Sequence, residues 1–379
     1  MTESVYITKT ANFLPNNPVS NDEIEEYMGL INGRQSKSKR IVLRNNGIQR
    51  RFYAMMKDGT PTHTNAEMTS LAIRKLFEKK SLSEIELLAC GTSTPDQMMP
   101  SHACMVHGWL PESPSIEVVS PSGVCCSGMH ALKYVYMSVK QGYANTAVAT
   151  GSERLSRVLR SEVFEGEMHR LESLEDNPYI SFEKDFLRWM LSDGAAAFKI
   201  QNKPDTSGLN LRIDWLTGAS YANEIEPCMY MAGEKQEGGI LKSYMDYTPR
   251  EMIEQSILSM KQDVKLLGEH IVEKGGIKLK EACDKNGFDV KNVDYFLPHM
   301  SSEFFRMKIA EKLEENGMGI PQEKWFSNLT TLGNVGAASI YLMIDELFNS
   351  GKLQKGNKIL LLVPESSRFS YMYGLLTVC

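Results

Sequence analysis

The stretches Cys126-Ser-Gly-Met-His-Ala-Leu132 and Asn334-Val-Gly-Ala-Ala-Ser-Ile340 share one arrangement. In each, a residue with a reactive or polar side chain is followed two positions later by glycine and then by a helical segment. Each helix leads through a glycine-containing turn into a strand, Thr146–Thr150 in the first case and Lys358–Val363 in the second. The repeated order predicts an internal duplication into two halves related by a pseudo-twofold axis. Chance similarity between two helix–strand units is the alternative.

Strand and helix signals alternate along the remaining sequence, which favours an α/β layered fold. Turn-forming residues cluster in Asn202–Gly208, and we place the boundary there, between an N-terminal half, 1–205, and a C-terminal half, 206–379. Further predicted strands are Ile85–Cys90, Ala195–Ile200 and Val293–Leu297, and the predicted helices are Gly128–Gln141, Thr248–Lys274, Ser301–Asn316 and Gly336–Ser350.

Composition excludes several classes of protein. The chain has 379 residues, 42% hydrophobic and 23% charged, with a net charge of −5, which is ordinary for a globular protein and gives no basic footprint for nucleic acid. No apolar run approaches the roughly 18–20 residues that cross a bilayer, and the first residues do not form a signal peptide, so we expect a cytoplasmic protein without a membrane span. The seven cysteines include no Cys-x-x-Cys, so we expect neither disulfides nor a metal site.

Cys126 is the candidate nucleophile. It lies in the small-residue turn Gly123-Val-Cys-Cys-Ser-Gly128, just before a helix. Free N–H groups and the partial positive charge of a helix N-terminus lower the pKa of a thiol, and the backbone N–H of the same residue can face an acyl oxygen. A buried structural cysteine is the alternative, and Cys125 competes for the role. The phase of the helix favours Cys126 and turns Cys125 into the strand–helix packing.

Two further candidates lie at element junctions in the second half. His299 follows an apolar strand directly and precedes a helix, the position where functional loops cluster in α/β folds. Asn334 lies between glycines that allow close approach of the backbone. Taken singly, each residue has a structural alternative: His299 as a hydrogen-bonded structural histidine and Asn334 as a helix cap. The order Cys, His, Asn, with two of the three at equivalent points of the repeat, favours one catalytic site.

At these residues the chain resembles the thiolase-fold condensing enzymes, specifically the β-ketoacyl-acyl-carrier-protein synthase III group. The resemblance runs in order over nearly the whole chain. It rests on the phrases around Cys126, His299 and Asn334 and on Phe13–Asn21, Gly47–Arg51, Thr94–Ser101 and Ser192–Ala197. It implies two βαβαβαββ halves in an αβαβα layered arrangement, and a homodimer.

The resemblance also implies an acyltransferase that performs a Claisen condensation. Cys126 would take an acyl group from a thioester, and a carbanion from a second thioester would attack it. His299 and Asn334 would donate hydrogen bonds to the enolate oxygen of the second thioester, which in the family usually forms by decarboxylation of a malonyl group. The substrates would be thioesters of acyl carrier protein or of coenzyme A, with the carrier protein as partner and no further cofactor.

The phrase near the C-terminus departs from the family. A run of glycines is replaced by Pro364-Glu-Ser-Ser-Arg-Phe-Ser370. By alignment Ser367 takes the place of the glycine that donates its N–H to the oxyanion. Glu365 and Arg368 would position a polar substrate carbonyl or pair with each other.

Three other departures concern the substrates. Met99 aligns with the residue that caps the acyl pocket of the partner subunit, where a flexible side chain suits longer chains. No Trp precedes the phrase Gly47-Ile48, and this absence favours acyl groups bound to a carrier protein over acyl-CoA. The segment Ser156–Met190 is predicted to be an addition that lies over the substrate entrance. The N- and C-terminal phrases resemble the ketosynthases of dialkylresorcinol and flexirubin-type pathways. A housekeeping synthase that initiates fatty-acid synthesis is the alternative.

Other classes fit less well. A papain-like peptidase shares the order Cys, His, Asn but has a different phrase around its cysteine, and no Gly-x-Gly-x-x-Gly, P-loop or Gly-x-Ser-x-Gly phrase occurs. A non-catalytic, ketosynthase-like partner subunit remains the rival from another class.

Overall fold

A computed structural model describes residues 4–31, 33, 35–36, 38–77, 82–164 and 187–379. The strands are β1 Tyr6–Phe13, β2 Val19–Ser20, β3 Arg50–Arg51, β4 Leu87–Gly91, β5 Glu117–Val119, β6 Thr146–Glu153, β7 Gly194–Gln201, β8 Leu211–Ser220, β9 Met229–Tyr230, β10 Gly233–Lys235, β11 Leu241–Ser243, β12 Lys261–Gln262, β13 Tyr295–Pro298, β14 Lys358–Glu365 and β15 Ser370–Val378. The α-helices are α1 Ile24–Met28, α2 Lys39–Asn46, α3 Asn65–Leu76, α4 His102–Gly108, α5 Cys126–Lys140, α6 Pro249–Glu254, α7 Val264–Lys285, α8 Phe304–Glu315, α9 Leu329–Leu332 and α10 Ser339–Phe348.

The central sheet repeats one strand order. Its nine strands run β13-β14-β15-β8-β1-β7-β6-β4-β5, and the halves meet where β8 pairs with β1. From that junction outwards, β1-β7-β6-β4-β5 corresponds to β8-β15-β14-β13, and an isolated parallel bridge from Trp325 to Phe296 stands in the place of β5. The pairings agree as well, since β6–β4 and β14–β13 are parallel while β7–β6 and β15–β14 are antiparallel. The strand order therefore has the form of a duplication, and the boundary after residue 205 stays a prediction.

Three hydrophobic clusters separate the layers. One packs α3 and α4 against β4, β6 and β7, and a second packs α7 and α8 against β14 and β15. The third holds α5 and α10 between the two halves of the sheet. All eight residues of β6 are buried, as expected for a strand covered on both faces. The result is the predicted αβαβα order of layers.

The two repeat phrases meet at the centre of the molecule. A Cβ atom on Gly128 would lie 2.4 Å from the carbonyl oxygen of Ala337, so only glycine permits this approach. The hydroxyl of Tyr341 donates a hydrogen bond of 2.8 Å to the carbonyl oxygen of Gly128. The starts of α5 and α10 are thereby held against each other.

One predicted helix is wrong. Thr248–Lys274 is not continuous, because α6 ends at Glu254 and Ser256 has a φ of 48°. The chain then forms β12 before α7 begins at Val264, where the side chain of Asp263 caps the helix by accepting from Leu266 N. The other predicted helices and strands are present with shifts at their ends. No helix within the described residues is long and apolar enough to cross a membrane.

Candidate active site

The start of α5 carries both candidate thiols. Cys125 is the N-cap and Cys126 is the first helical residue. The N–H groups of Val124 and Cys126 each donate a hydrogen bond of 2.9 Å to Oε2 of Glu365. The hydroxyl of Ser367 donates to the other oxygen, Oε1, at 2.6 Å. The carboxylate of Glu365 therefore accepts the hydrogen bond of the Cys126 N–H, the group that the sequence assigns to a substrate oxyanion.

The two thiols have different surroundings. Cys126 is 1% exposed, and its thiol donates to the carbonyl oxygen of Val363 at 3.3 Å. Cys125 belongs to the hydrophobic cluster that packs α5 against the strands, as expected, and it also lines the cavity described below. Burial, and then the negative charge of Glu365, raise the pKa of both thiols well above the usual value. In the free protein both are therefore protonated near neutral pH.

His299 lies directly after β13. Its backbone N–H donates to the carbonyl oxygen of Leu362 on β14 at 2.8 Å, which fixes the residue at the carboxyl end of two parallel strands. The side chain is buried and lines the cavity. Burial lowers its pKa to about 4, so the imidazole is neutral at pH 7. A neutral ring has one N–H donor and one acceptor.

Asn334 is fixed by its backbone in the loop before α10. Its N–H donates to Met190 O at 3.0 Å, and its carbonyl accepts from Ser192 N at 2.9 Å. The side-chain Oδ1 accepts from Gly336 N at 2.9 Å. The amide NH2 is then the donor that Asn334 can offer to a ligand in the cavity, which this residue also lines.

Glu153, at the end of β6, holds this loop and was not singled out from the sequence. Its Oε1 accepts from Ala337 N at 3.1 Å, and its Oε2 accepts from the hydroxyls of Ser93 and Thr94, each at 2.7 Å. Burial raises its pKa to about 7. The available signal was the repeated strand-end phrase, because Glu153 and Glu365 are the last residues of equivalent strands.

One cavity joins these groups. Cys125, His299 and Asn334 line one end, and the cavity extends from there between α7 and α8. Most of the remaining lining is apolar and rich in methionine: Leu155, Leu187, Met190, Leu191, Met229, Met260, Leu267, Ile271, Val272, Met300, Phe305, Ile309, Leu313 and Leu362. This is the composition of a site for an apolar ligand with a few polar groups at one end.

The structure does not bring the other predicted substrate-binding residues to the cavity wall. Met99 is 86% exposed. Glu365 and Ser367 bond each other, and Arg368 donates to Ile225 O at 3.1 Å rather than to Glu365. The turn instead contributes Pro364 and Ser366 to the lining. Of the segment predicted over the entrance, residues 165–186 lie outside the described residues, whereas Leu187 and Met190 line the cavity.

The site thus combines a thiol at a helix start, a neutral imidazole and a side-chain amide around one apolar space. A thiol can accept an acyl group, and two neutral N–H donors can stabilise a developing oxyanion. Among the residues that the structure describes, no group of three His, Cys, Asp or Glu side chains could hold a metal ion.

Comparisons with known proteins show which family the chain is similar to. Residues 283–363 match the family described as 3-oxoacyl-[acyl-carrier-protein (ACP)] synthase III C terminal. The β-ketoacyl-[acyl-carrier-protein] synthase III of Clostridium perfringens (strain SM101 / Type A) is 24% identical over 354 residues, which cover 92% of each chain. The resemblance predicted from the sequence is thereby confirmed.

Solved structures share the fold. AbyA1, a tetronic acid condensing enzyme, has a TM-score of 0.73 at 18% identity and covers 98% of this chain and 99% of its own. A variant of OleA from Xanthomonas campestris, with bound lauric acid and lauroyl-CoA, has a TM-score of 0.75 at 18% identity and covers 100% of both chains. The predicted thiolase fold is confirmed.

Proposed function

We propose that this chain, β-ketoacyl-acyl-carrier-protein synthase III-like in sequence and thiolase-like in fold, joins two acyl thioesters through a cysteine-bound acyl intermediate. The observation that carries the proposal is the apolar cavity in which His299 and Asn334 meet the start of the helix with Cys125 and Cys126. The predicted enzyme class, an acyltransferase of the β-ketoacyl synthase III type, is confirmed by the family match and the curated relatives.

Acylation transfers an acyl group to Cys126. The thioester bond of the donor breaks, a new one forms at Sγ, and the thiol proton leaves with the departing carrier or coenzyme A sulfur. The N–H of Cys126 can stabilise the oxyanion only after it has released Glu365, to which it donates in the free protein. Acyl loading therefore requires that carboxylate to move away from the N–H of Cys126.

Condensation uses the two donors in the cavity. The α-carbon of the second thioester attacks the acyl carbonyl after loss of carbon dioxide, the carbon–carbon bond forms, and the cysteine sulfur leaves and regains a proton. His299 and Asn334 donate hydrogen bonds to the enolate oxygen of the attacking thioester. Both can donate at once in the neutral state, because a neutral imidazole keeps one N–H donor and the amide of Asn334 keeps its NH2.

Cys125 is a second candidate for the nucleophile. It lines the cavity, whereas the thiol of Cys126 is bonded to Val363 O. The phrase Cys126-Ser-Gly128 matches the resembled family at Cys126, and Gly128 is the residue that contacts Ala337. Cys126 is therefore the proposed nucleophile, and the variants Cys125→Ser and Cys126→Ser distinguish the two thiols.

The pathway we propose is a specialised lipid or polyketide one of dialkylresorcinol type. The apolar cavity that extends between α7 and α8 supports a long acyl chain, and Glu365 at the helix start departs from the glycine-rich turn of the housekeeping enzyme. The housekeeping reaction remains the alternative, since the curated relatives carry that name. Acyl carrier protein is the proposed donor, and a homodimer is the proposed assembly, in which the exposed Met99 would contact the partner subunit.

Intact-protein mass spectrometry tests the proposal. Wild type, Cys125→Ser and Cys126→Ser are incubated with acyl thioesters on coenzyme A and on carrier protein. We expect a gain of one acyl group that is lost only in Cys126→Ser. Loss only in Cys125→Ser would move the nucleophile by one residue. Loading by acetyl-CoA alone would favour the housekeeping reaction, and no adduct with any donor would favour the non-catalytic subunit.

A further inference from the structure

The cavity follows the contact between two helices. Both α7 and α8 begin near the reaction centre, because Gln262 before α7 bonds Ser366 and His299 precedes α8 by five residues. The lining continues along them to Gly276 on α7 and Lys312 on α8. Lys312 lies eight residues after the start of α8, and eight residues of helix span about 12 Å. The space is therefore a tunnel that leads away from the thiols.

Two glycines leave room at the outer end of this tunnel. A Cβ on Gly275 would lie 2.8 Å from the ring of Tyr371, and a Cβ on Gly276 would lie 2.7 Å from Cγ of Lys312. The stem of Lys312 therefore lies directly against the backbone of α7. No larger residue at 276 would let the lysine take this position.

Lys312 also connects the helices by ion pairs. Its Nζ lies 2.5 Å from Oε2 of Glu273 on α7 and 3.0 Å from Oε2 of Glu315 on α8. The lysine side chain is 16% exposed, whereas the two glutamates are half-exposed or more. The stem thus faces the tunnel and the ammonium group faces the surface.

We propose that this tunnel takes the alkyl chain of an acyl thioester and that Lys312 closes its outer end, which limits the length of chain that fits. The inference rests on the proposed function in taking the bound ligand to be an acyl thioester. Lys312 acts as a specificity-determining residue, since a chain that reaches it must displace its stem and break the ion pair with Glu273.

The lining favours an alkyl chain over the pantetheine arm of the same thioester. Between the two ends the walls are formed by Leu267, Ile271, Val272, Ile309 and Leu313, whose side chains have no donor or acceptor. The backbone groups there lie inside helices and are already bonded. The amide groups of a pantetheine arm would lose their hydrogen bonds to water without replacement, whereas methylenes gain by leaving water.

Binding without chemistry tests the proposal. Straight-chain acyl-CoA thioesters of increasing length are titrated into a Cys125→Ser/Cys126→Ser double variant. We expect affinity to rise about fourfold per methylene until the chain reaches Lys312 and to rise no further beyond that length. Lys312→Ala should move this break to longer chains, and Val272→Phe, which narrows the tunnel, should move it to shorter ones.

Lys280→Ala is the matched control, because Lys280 lies on α7, forms an ion pair with Asp284 and does not line the tunnel. Thermal melting verifies that each variant is folded. The inference is overturned if affinity stops rising at the same chain length in the Lys312→Ala and Lys280→Ala proteins. It is also overturned if Val272→Phe leaves that chain length unchanged. The assay needs no acyl transfer. If the variants shift the chain length at which affinity stops rising but the wild type forms no acyl-enzyme, the tunnel is supported and the proposed function is rejected.

Discussion

Glu153 and Glu365 end the equivalent strands β6 and β14, and each accepts a hydrogen bond from a backbone N–H at or just before a helix start in the opposite half. The carboxylate of Glu365 accepts from the N–H of Cys126, and that of Glu153 accepts from the N–H of Ala337. Each half therefore holds a loop of the other half that carries proposed site residues, the cysteine turn in one case and the loop after Asn334 in the other. Because the acceptors are buried carboxylates, their charge acts directly on the site between them.

Replacement of Glu365 by Gln should make Cys126 more reactive. Burial and then the charge of Glu365 raise the pKa of this thiol, so removal of the charge lowers that pKa while Gln keeps an acceptor for the helix start. The pH profile of alkylation by iodoacetamide should shift to lower pH. Ser367→Ala, which removes a partner of Glu365 but no charge, is the control. An unchanged profile in Glu365→Gln would show that the carboxylate does not govern the thiol.

Glu153 should make the protein less stable as the pH rises from about 4.5 to about 7. Burial raises its pKa from the usual 4.5 to about 7, so the folded state binds a proton that the unfolded state releases in this window. The free energy of unfolding therefore contains a contribution that is complete below pH 4.5 and falls by about 3 kcal/mol on the way to pH 7. Glu153→Gln should flatten this part of the curve in urea titrations. A slope equal to that of wild type would contradict the assignment.

His299→Ala and Asn334→Ala should each keep acylation and lose condensation, because their donors act on the second thioester. A loss of about 10²–10³ in the condensation rate is expected for each donor removed. Pulse loading followed by mass spectrometry separates the two steps. With a pKa of about 4, His299 is neutral from pH 5 to 8, so wild-type condensation should show no titration at the usual histidine pKa. Loss of self-acylation in His299→Ala would refute its assigned role.

Gly128→Ala should destabilise the fold. Its Cβ would lie 2.4 Å from Ala337 O and 3.1 Å from the ring of Tyr341, and overpacking of this kind costs about 1–3 kcal/mol. Gly268→Ala is the matched control, since nothing lies within 4 Å of its Cβ and it is inside α7. That variant should be more stable by about 1 kcal/mol. Equal urea midpoints for the two variants would show that the close contact of Gly128 with Ala337 does not limit stability.

The sequence alone was sufficient for the layered fold, whereas Cys126, His299 and Asn334 stay predicted site residues. Periodicity is local, so α5, α8 and the strands around them could be read from neighbouring residues. The internal repeat was found by comparison of the chain with itself, and it indicated that the strands after the two repeated phrases are equivalent. The prediction of one long helix over Thr248–Lys274 was wrong because the apolar pattern continues through the break in the helix at Ser256. Asp263 was a recognisable N-cap within this stretch and marks the true start of α7.

What only the tertiary structure decided is how residues far apart in the chain meet. The contact of Glu365 with Cys126 spans 239 positions, and no local pattern states which thiol a carboxylate will approach or which will face the cavity. The tunnel that Lys312 closes likewise depends on how α7 and α8 pack. Local spacing therefore determined the elements and the candidate residues, whereas the charge around the thiols and the shape of the cavity follow from packing between the two halves and their helices.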